Sequence, residues 1–141
     1  MPPKKILFIC EHNSARSQMA AAFLRKYGKD DYEADSAGLE PAQINPLAVE
    51  VMREVGIDIS GQKTQSVFDL FKQGKLFDVV VTVCQPAADK CPIFPGVSAR
   101  LHWPFDDPGR FSGTWEERLK ETRRVRDEIE ATVKNWLSEN R

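Results

Sequence analysis

Cys10 and Arg16 stand six positions apart in the stretch Cys10-Glu11-His12-Asn13-Ser14-Ala15-Arg16-Ser17, a spacing suited to holding an anion over a thiol. On a loop leading into a helix near Ser17, successive backbone N–H groups curl into a nest and the helix N-terminus adds partial positive charge. The Arg16 guanidinium can then grip two oxygens in a planar fork. A tetrahedral oxyanion fits such a cradle. The same positive field favours the thiolate of Cys10, the nucleophilic form, and the Ser17 hydroxyl is placed to donate a hydrogen bond to it. The expected oxyanion-binding set is Glu11, His12, Asn13, Ser14, Ala15, Arg16 and Ser17, with His12 a hydrogen-bonding or specificity residue rather than a base. Glu11 puts negative charge at the mouth, where it can discriminate among oxyanions. Alternatively, Cys10 is a buried strand-end residue and Arg16 a solvated charge, because such a pair recurs by chance. The elements around the pair decide.

Residues 5–10 form a continuous apolar run with β-branched and aromatic members, the pattern of a strand buried on both faces of a parallel sheet. Residues 18–27 are rich in helix formers, with Gly28 in the place of a C-cap glycine. A short strand is expected over 32–37, ending at Gly38. A helix follows from the N-cap Asn45 and Pro46 to about Val55, closed by Gly56. Residues 64–73 read as a short helix with Phe68 and Phe71 facing inward and Gly74 as its stop. Residues 77–83 are the strongest strand pattern, ending at Cys84. A loop over 85–98 carries three of the nine prolines, a fourth strand is expected over 99–103, and 104–113 is loop. Thr114 and Glu117 fit a capping box that opens a long helix through Leu119, Val125, Ile129, Val133 and Trp136. Strands alternating with helices predict a single-domain α/β fold over residues 1–141, an approximately four-stranded parallel sheet with helices on both faces. Ligands of such sheets bind at the carboxyl ends of the strands, so Cys10 and Cys84 are expected on the same rim.

Composition narrows the function. Lys plus Arg number 20 against 21 Asp plus Glu, a net charge of -1, which argues against nucleic acid as a partner. No apolar run approaches the ~18 residues that span a bilayer, so no membrane role is expected. Three cysteines in 141 residues are too few, and odd in number, for a secreted disulfide scaffold. Free thiols in a reducing cytoplasm are expected, in a monomer without a metal or other cofactor; with only His12 and His102 available, zinc is a poor fit.

With Cys10 and Arg16-Ser17 set between a strand and a helix, the chain resembles the low-molecular-weight protein tyrosine phosphatase superfamily over nearly its full length. The resemblance extends through Gln18-Met19-Ala20, through Asp35-Ser36-Ala37-Gly38 and through Asp107-Pro108, the family's general-acid dipeptide. It implies that Asp107 protonates the leaving oxygen, with Asp106 the neighbouring alternative. Pro108 favours Asp107 by restricting it to extended backbone. Asn13 and Ser36 match positions that hold the loop in shape by hydrogen bonds. The segments around Cys84 and Cys91, and His102-Trp103-Pro104-Phe105, are similar to those of the thioredoxin-coupled arsenate reductases of this superfamily. That branch has a cation site using an acidic residue of the first helix. Ala21 stands there in this chain, so no metal is carried over.

The resemblance implies a relay: Cys10 attacks arsenic, Asp107 assists loss of water, Cys84 attacks Cys10 to release arsenite, and Cys91 then attacks Cys84. The resulting disulfide would be reduced by thioredoxin or another thiol reductant. Electron counting supports this independently, since arsenate to arsenite takes two electrons, the number two thiols release on forming a disulfide. The first alternative is a phosphatase that hydrolyses phosphotyrosine through a Cys10 phosphoenzyme, with Cys84 and Cys91 as structural or surface thiols. Gly109-Arg110-Phe111 after the acid, without a tyrosine pair to wall an aromatic slot, disfavours it. The second is a noncatalytic oxyanion-binding module. Cys91→Ser is expected to allow one round of arsenite release while stopping thioredoxin-coupled turnover; an unchanged steady-state rate would remove Cys91 from the relay.

Overall fold

The computed structural model describes residues 2–83 and 92–140; Cys84, Cys91 and the first half of the loop expected over 85–98 lie outside the described residues. Four strands, β1 (Lys4–Cys10), β2 (Tyr32–Gly38), β3 (Val79–Thr82) and β4 (Ala99–His102), form one sheet in the order β2-β1-β3-β4. Every pairing is parallel. The apolar run of β1 is central, flanked by strands on both edges, and Ile6 to Cys10 are at most 2% exposed. Edge strand β4 instead alternates between half-buried and exposed residues, as one-sided burial requires.

The third strand is shorter than the expected 77–83 because its formal limits are set where it pairs with both neighbours. Beyond them it still bonds to β1, through the Asp78 N–H to the Lys5 carbonyl (2.8 Å) and the Val83 N–H to the Ile9 carbonyl (2.9 Å). Since β1 connects outward to β2 and β3 outward to β4, a crevice opens between the carboxyl ends of β1 and β3, the switch point where ligands of such sheets bind.

The helices are α1 (Arg16–Gly28), α2 (Pro46–Glu54), α3 (Val67–Lys72) and α4 (Trp115–Asn140). Asn45 caps α2 by accepting the Leu47 N–H at 2.9 Å. The capping box of α4 is reciprocal: the Glu117 N–H donates to the Thr114 hydroxyl and the Thr114 N–H to the Glu117 carboxylate. Rings of Phe8, Trp103, Trp136 and Tyr32 make successive contacts of 6.1, 6.5 and 5.5 Å that tie the sheet to α4.

Two expectations are corrected. Gly28 is not a left-handed cap: it is the last residue of α1 with φ of −84°, and the positive φ of 51° falls on Lys29. The glycine keeps its packing loose, since a Cβ there would stand a tight 3.0 Å from the Tyr32 ring. In α3, Phe68 and Phe71 face outward at 40% and 42% exposed, and Val67 and Leu70 are buried instead. Both pairs have i, i+3 spacing. The Ser66 bridge to Gly38, with the Ser66 hydroxyl capping the Phe68 N–H, fixes the helix one residue out of the expected phase.

Glu54 at the end of α2 clamps α4. Its carboxylate accepts from Arg123 at 2.8 Å and from the largely buried Arg126 at 2.8 Å, and Arg126 also donates to the Val51 carbonyl. Hydrogen bonding to Arg123 holds the Glu54 carboxyl below its ordinary range against the opposing effect of burial, and Arg126 adds to the lowering. A carboxylate lowered by folding stabilises above its unfolded titration, and that contribution is lost as pH falls through the folded one. Glu54→Gln should therefore cost roughly 1 kcal/mol in urea unfolding at neutral pH. The gap to wild type should close below about pH 4; a gap independent of pH would assign the loss to packing rather than charge.

Candidate active site

At the carboxyl end of β1 the chain turns back on itself before α1, and the segment after β2 holds that turn open. Backbone N–H groups of Leu39, Glu40, Ala42 and Asn45 donate to the carbonyls of Cys10, Glu11, His12 and Ser14 at 2.7–3.1 Å. In a trans peptide the N–H points opposite to the C=O, so the amides of residues 11, 12, 13 and 15 are turned toward the inside of the loop. For Asn13 this is directly visible, as its N–H lies 3.0 Å from the Cys10 sulfur. The turn needs a left-handed residue, and Asn13 supplies it with φ of 55°.

The thiol sits at the floor, 2% exposed, 2.9 Å from the Ser17 hydroxyl. The fully buried Asn13 side chain spans the loop, its amide donating to the Ser17 oxygen at 2.8 Å and its carbonyl accepting the Gln65 N–H at 3.0 Å. Ser17 is thereby oriented from two sides. Helix α1 starts at Ala15–Arg16 with no side-chain cap and no acidic residue in its first turn. Its partial positive charge consequently faces the loop uncompensated.

At the start of α1, Arg16 is 6% exposed, donates to the Phe105 carbonyl at 3.1 Å and pairs with Asp107 at 3.5 Å. Asp107 has the extended backbone expected from Pro108, with φ of −86° and ψ of 111°. Its other oxygen accepts the Gly109 N–H at 2.9 Å, capping the short turn Pro108–Arg110. Asp106 points elsewhere, to Arg124 of α4 at 3.0 Å. Geometry therefore separates the two candidate acids.

His12 uses its Nδ1 on the Glu40 carbonyl at 3.0 Å, while His102 Nδ1 lies 2.6 Å from the Thr82 hydroxyl in the sheet. Among the described residues no three His, Cys, Asp or Glu side chains converge as a metal site would require. The cation of the arsenate reductase branch does not fit here: Ala21 is fully buried and offers no ligand, and the Gln65 side-chain amide donates a hydrogen to the Ser36 carbonyl at 2.9 Å.

Ser36 is linked to the loop through its carbonyl and Gln65. Gln65 and Gln18, whose amide donates to the carbonyls of Asn13 (3.1 Å) and Lys63 (3.3 Å), brace the loop and were not singled out from sequence. A glutamine in a polar stretch carries no local signal of such a role. Gly38 is expected as a strand end and as part of the Asp35–Gly38 resemblance; a Cβ on it would stand 2.7 Å from the Asn13 nitrogen and 2.9 Å from the Glu11 oxygen.

A buried thiol beneath inward-turned amides, an uncapped helix and an arginine, all at the switch point of a parallel sheet, defines a class of protein built to hold a tetrahedral oxyanion against sulfur. Residues 5–141 match the low molecular weight phosphotyrosine protein phosphatase family, and the chain belongs to it. It is 49% identical over 137 residues to an arsenate reductase of Shouchella clausii, with 96% of each chain covered. To the arsenate reductase of Bacillus subtilis it is 46% identical over 137 residues, again with 96% of each covered. A solved structure of an arsenate reductase in the phosphate binding state superposes with a TM-score of 0.82 at 32% identity, covering 96% of this chain and 98% of that one.

Gly38→Ala is expected to destabilise by about 1–3 kcal/mol, the range of overpacking, and to change the alkylation rate of Cys10. Gly61→Ala, where a Cβ meets nothing within 4 Å, is the control. Equal melting temperatures and alkylation rates in the two variants would show that the approach of Gly38 is not what shapes the loop.

Proposed function

We propose that the protein is an arsenate reductase that works by a three-cysteine relay in a reducing cytoplasm, as a monomer, with thioredoxin or another thiol as the final reductant. The observation that carries the reading is the Cys10 sulfur held between the Asn13 N–H and the Ser17 hydroxyl, with Arg16 at the start of α1 paired to Asp107. Relatives 41–49% identical that are arsenate reductases support the choice of oxyanion.

In this reading the Cys10 thiolate attacks arsenic of arsenate held by Arg16 and the loop amides. Asp107 delivers a proton to the departing oxygen, which leaves as water. The Cys84 thiolate then attacks the Cys10 sulfur. The S–As electron pair goes to arsenic, which falls from arsenic(V) to arsenic(III) and leaves as arsenite, while a Cys10–Cys84 disulfide forms. Attack of Cys91 on Cys84 releases Cys10 as thiolate and leaves a Cys84–Cys91 disulfide, which a reductant's dithiol opens by exchange. Support for Cys84 as the second thiol lies in its neighbour: Val83 donates its N–H to the carbonyl of Ile9, the residue before Cys10.

The test counts free thiols after unfolding and quenching, before and after one exposure of the reduced protein to arsenate without added reductant. A fall from all three to one, with one equivalent of arsenite, is expected. If all three survive and an aryl phosphate is hydrolysed, the loop serves a phosphatase through a Cys10 phosphoenzyme. Anion binding with neither reaction would make it a binding module.

A further inference from the structure

We propose that Arg110 recruits and selects the oxyanion at the mouth of the Cys10 loop, favouring a small, multiply charged inorganic oxyanion over an aryl phosphate. This deepens the reading of residues 10–17 as an oxyanion cradle and rests on it. The first observation is convergence. Arg110 Nε lies 3.9 Å from the same Asp107 oxygen that Arg16 approaches to 3.5 Å. The two guanidinium groups are thus close enough for one tetrahedral oxyanion, with charge-assisted hydrogen bonds of about 2.8 Å on opposite oxygens, to reach both. Asp107 places Arg110 there by capping the turn Pro108–Arg110, which projects the residue at i+3 back over the carboxylate.

The second observation is the charge balance at the mouth. Arg16 is the buried cation of the cradle, but Asp107 faces it and Glu11 lies half-buried beside the nucleophile, so these three groups alone oppose an arriving dianion. Arg110 restores the balance. Its side chain is 83% exposed, and Asp107 is its one acidic partner among the described residues. Arg124, the other guanidinium on this rim, is engaged by Asp106, Glu121 and Glu128 and is not free to help. A solvated guanidinium at the rim rewards charge density, and an inorganic dianion presents more charged oxygens to it than an aryl ester does.

The test uses the full chain and inorganic phosphate, so that it does not depend on turnover. Cys10 alkylation by iodoacetamide, read by mass spectrometry of the Cys10 peptide, is measured against phosphate concentration for wild type, Arg110→Ala and Arg110→Lys. Half-protection of Arg110→Ala is expected at about fivefold higher phosphate, the upper range for an exposed charge pair. Arg110→Lys should recover most of the loss, and added sodium chloride should weaken protection of wild type more than of Arg110→Ala. Arg110→Ala should also narrow the preference for phosphate over phenyl phosphate as protectant. Coincident curves for wild type and Arg110→Ala would overturn the role of Arg110 while leaving the cradle intact. A wild-type Cys10 that phosphate does not protect at all would overturn the cradle reading, and the proposal with it.

Discussion

The site depends on how closely the end of β2 approaches the loop that follows β1. The parallel register pairs Cys10 with Gly38, and at that last rung the glycine lies against the backbone of Glu11, His12 and Asn13 with no room for a side chain. Because the two segments touch there, residues 39–45 run alongside the loop and take up four of its carbonyls. Turning those carbonyls outward is what turns the amides inward. An anion site made of backbone N–H groups is thus a consequence of strand register, and the identity of most loop side chains matters less than the path the chain is forced to follow.

Within that frame Arg16 does two jobs with one guanidinium. It donates to the Phe105 carbonyl, and it pairs with Asp107, holding the acid loop at both points. Under the proposed function an oxyanion arriving at Arg16 competes with the Asp107 carboxylate for the same cation. The Gly109 N–H stays on the other oxygen and keeps the carboxyl from swinging away. Asp106, tied to Arg124, anchors the same loop to α4 from outside. The pair of adjacent acids therefore divides into one that faces the cradle and one that fastens the loop.

Much of this was legible in the sequence, because the strongest signals were local. The apolar run of β1, the Asn45-Pro46 start of α2 and the capping box of α4 each write their structure within a few residues. The Cys10-to-Ser17 stretch carried its strand–loop–helix setting in the same way. What failed to show was whatever depended on distant contacts. The phase of α3 was set by a bridge between Ser66 and Gly38, 28 residues apart, and not by which apolar pair was larger. Gly28 packs closely against the ring of Tyr32, and the Gln65 side chain bonds the Ser36 carbonyl 29 residues earlier.

The cradle by itself does not choose between hydrolysis and reduction, since a thiol, an arginine and an acid serve attack on phosphorus and on arsenic alike. The choice rests on whether water or a second sulfur reaches the adduct first. Here the topology bears on chemistry: β1 and β3 are adjacent parallel strands, so whatever follows each of them emerges on the same edge of the sheet. The Ile9–Val83 hydrogen bond sets the residue before Cys10 against the last described residue before Cys84. A thiol at the end of β4 would stand one strand further off, beyond β3. The proposed relay therefore needs no new fold, only sulfur at the neighbouring strand's end and a further thiol to draw the disulfide away from the anion.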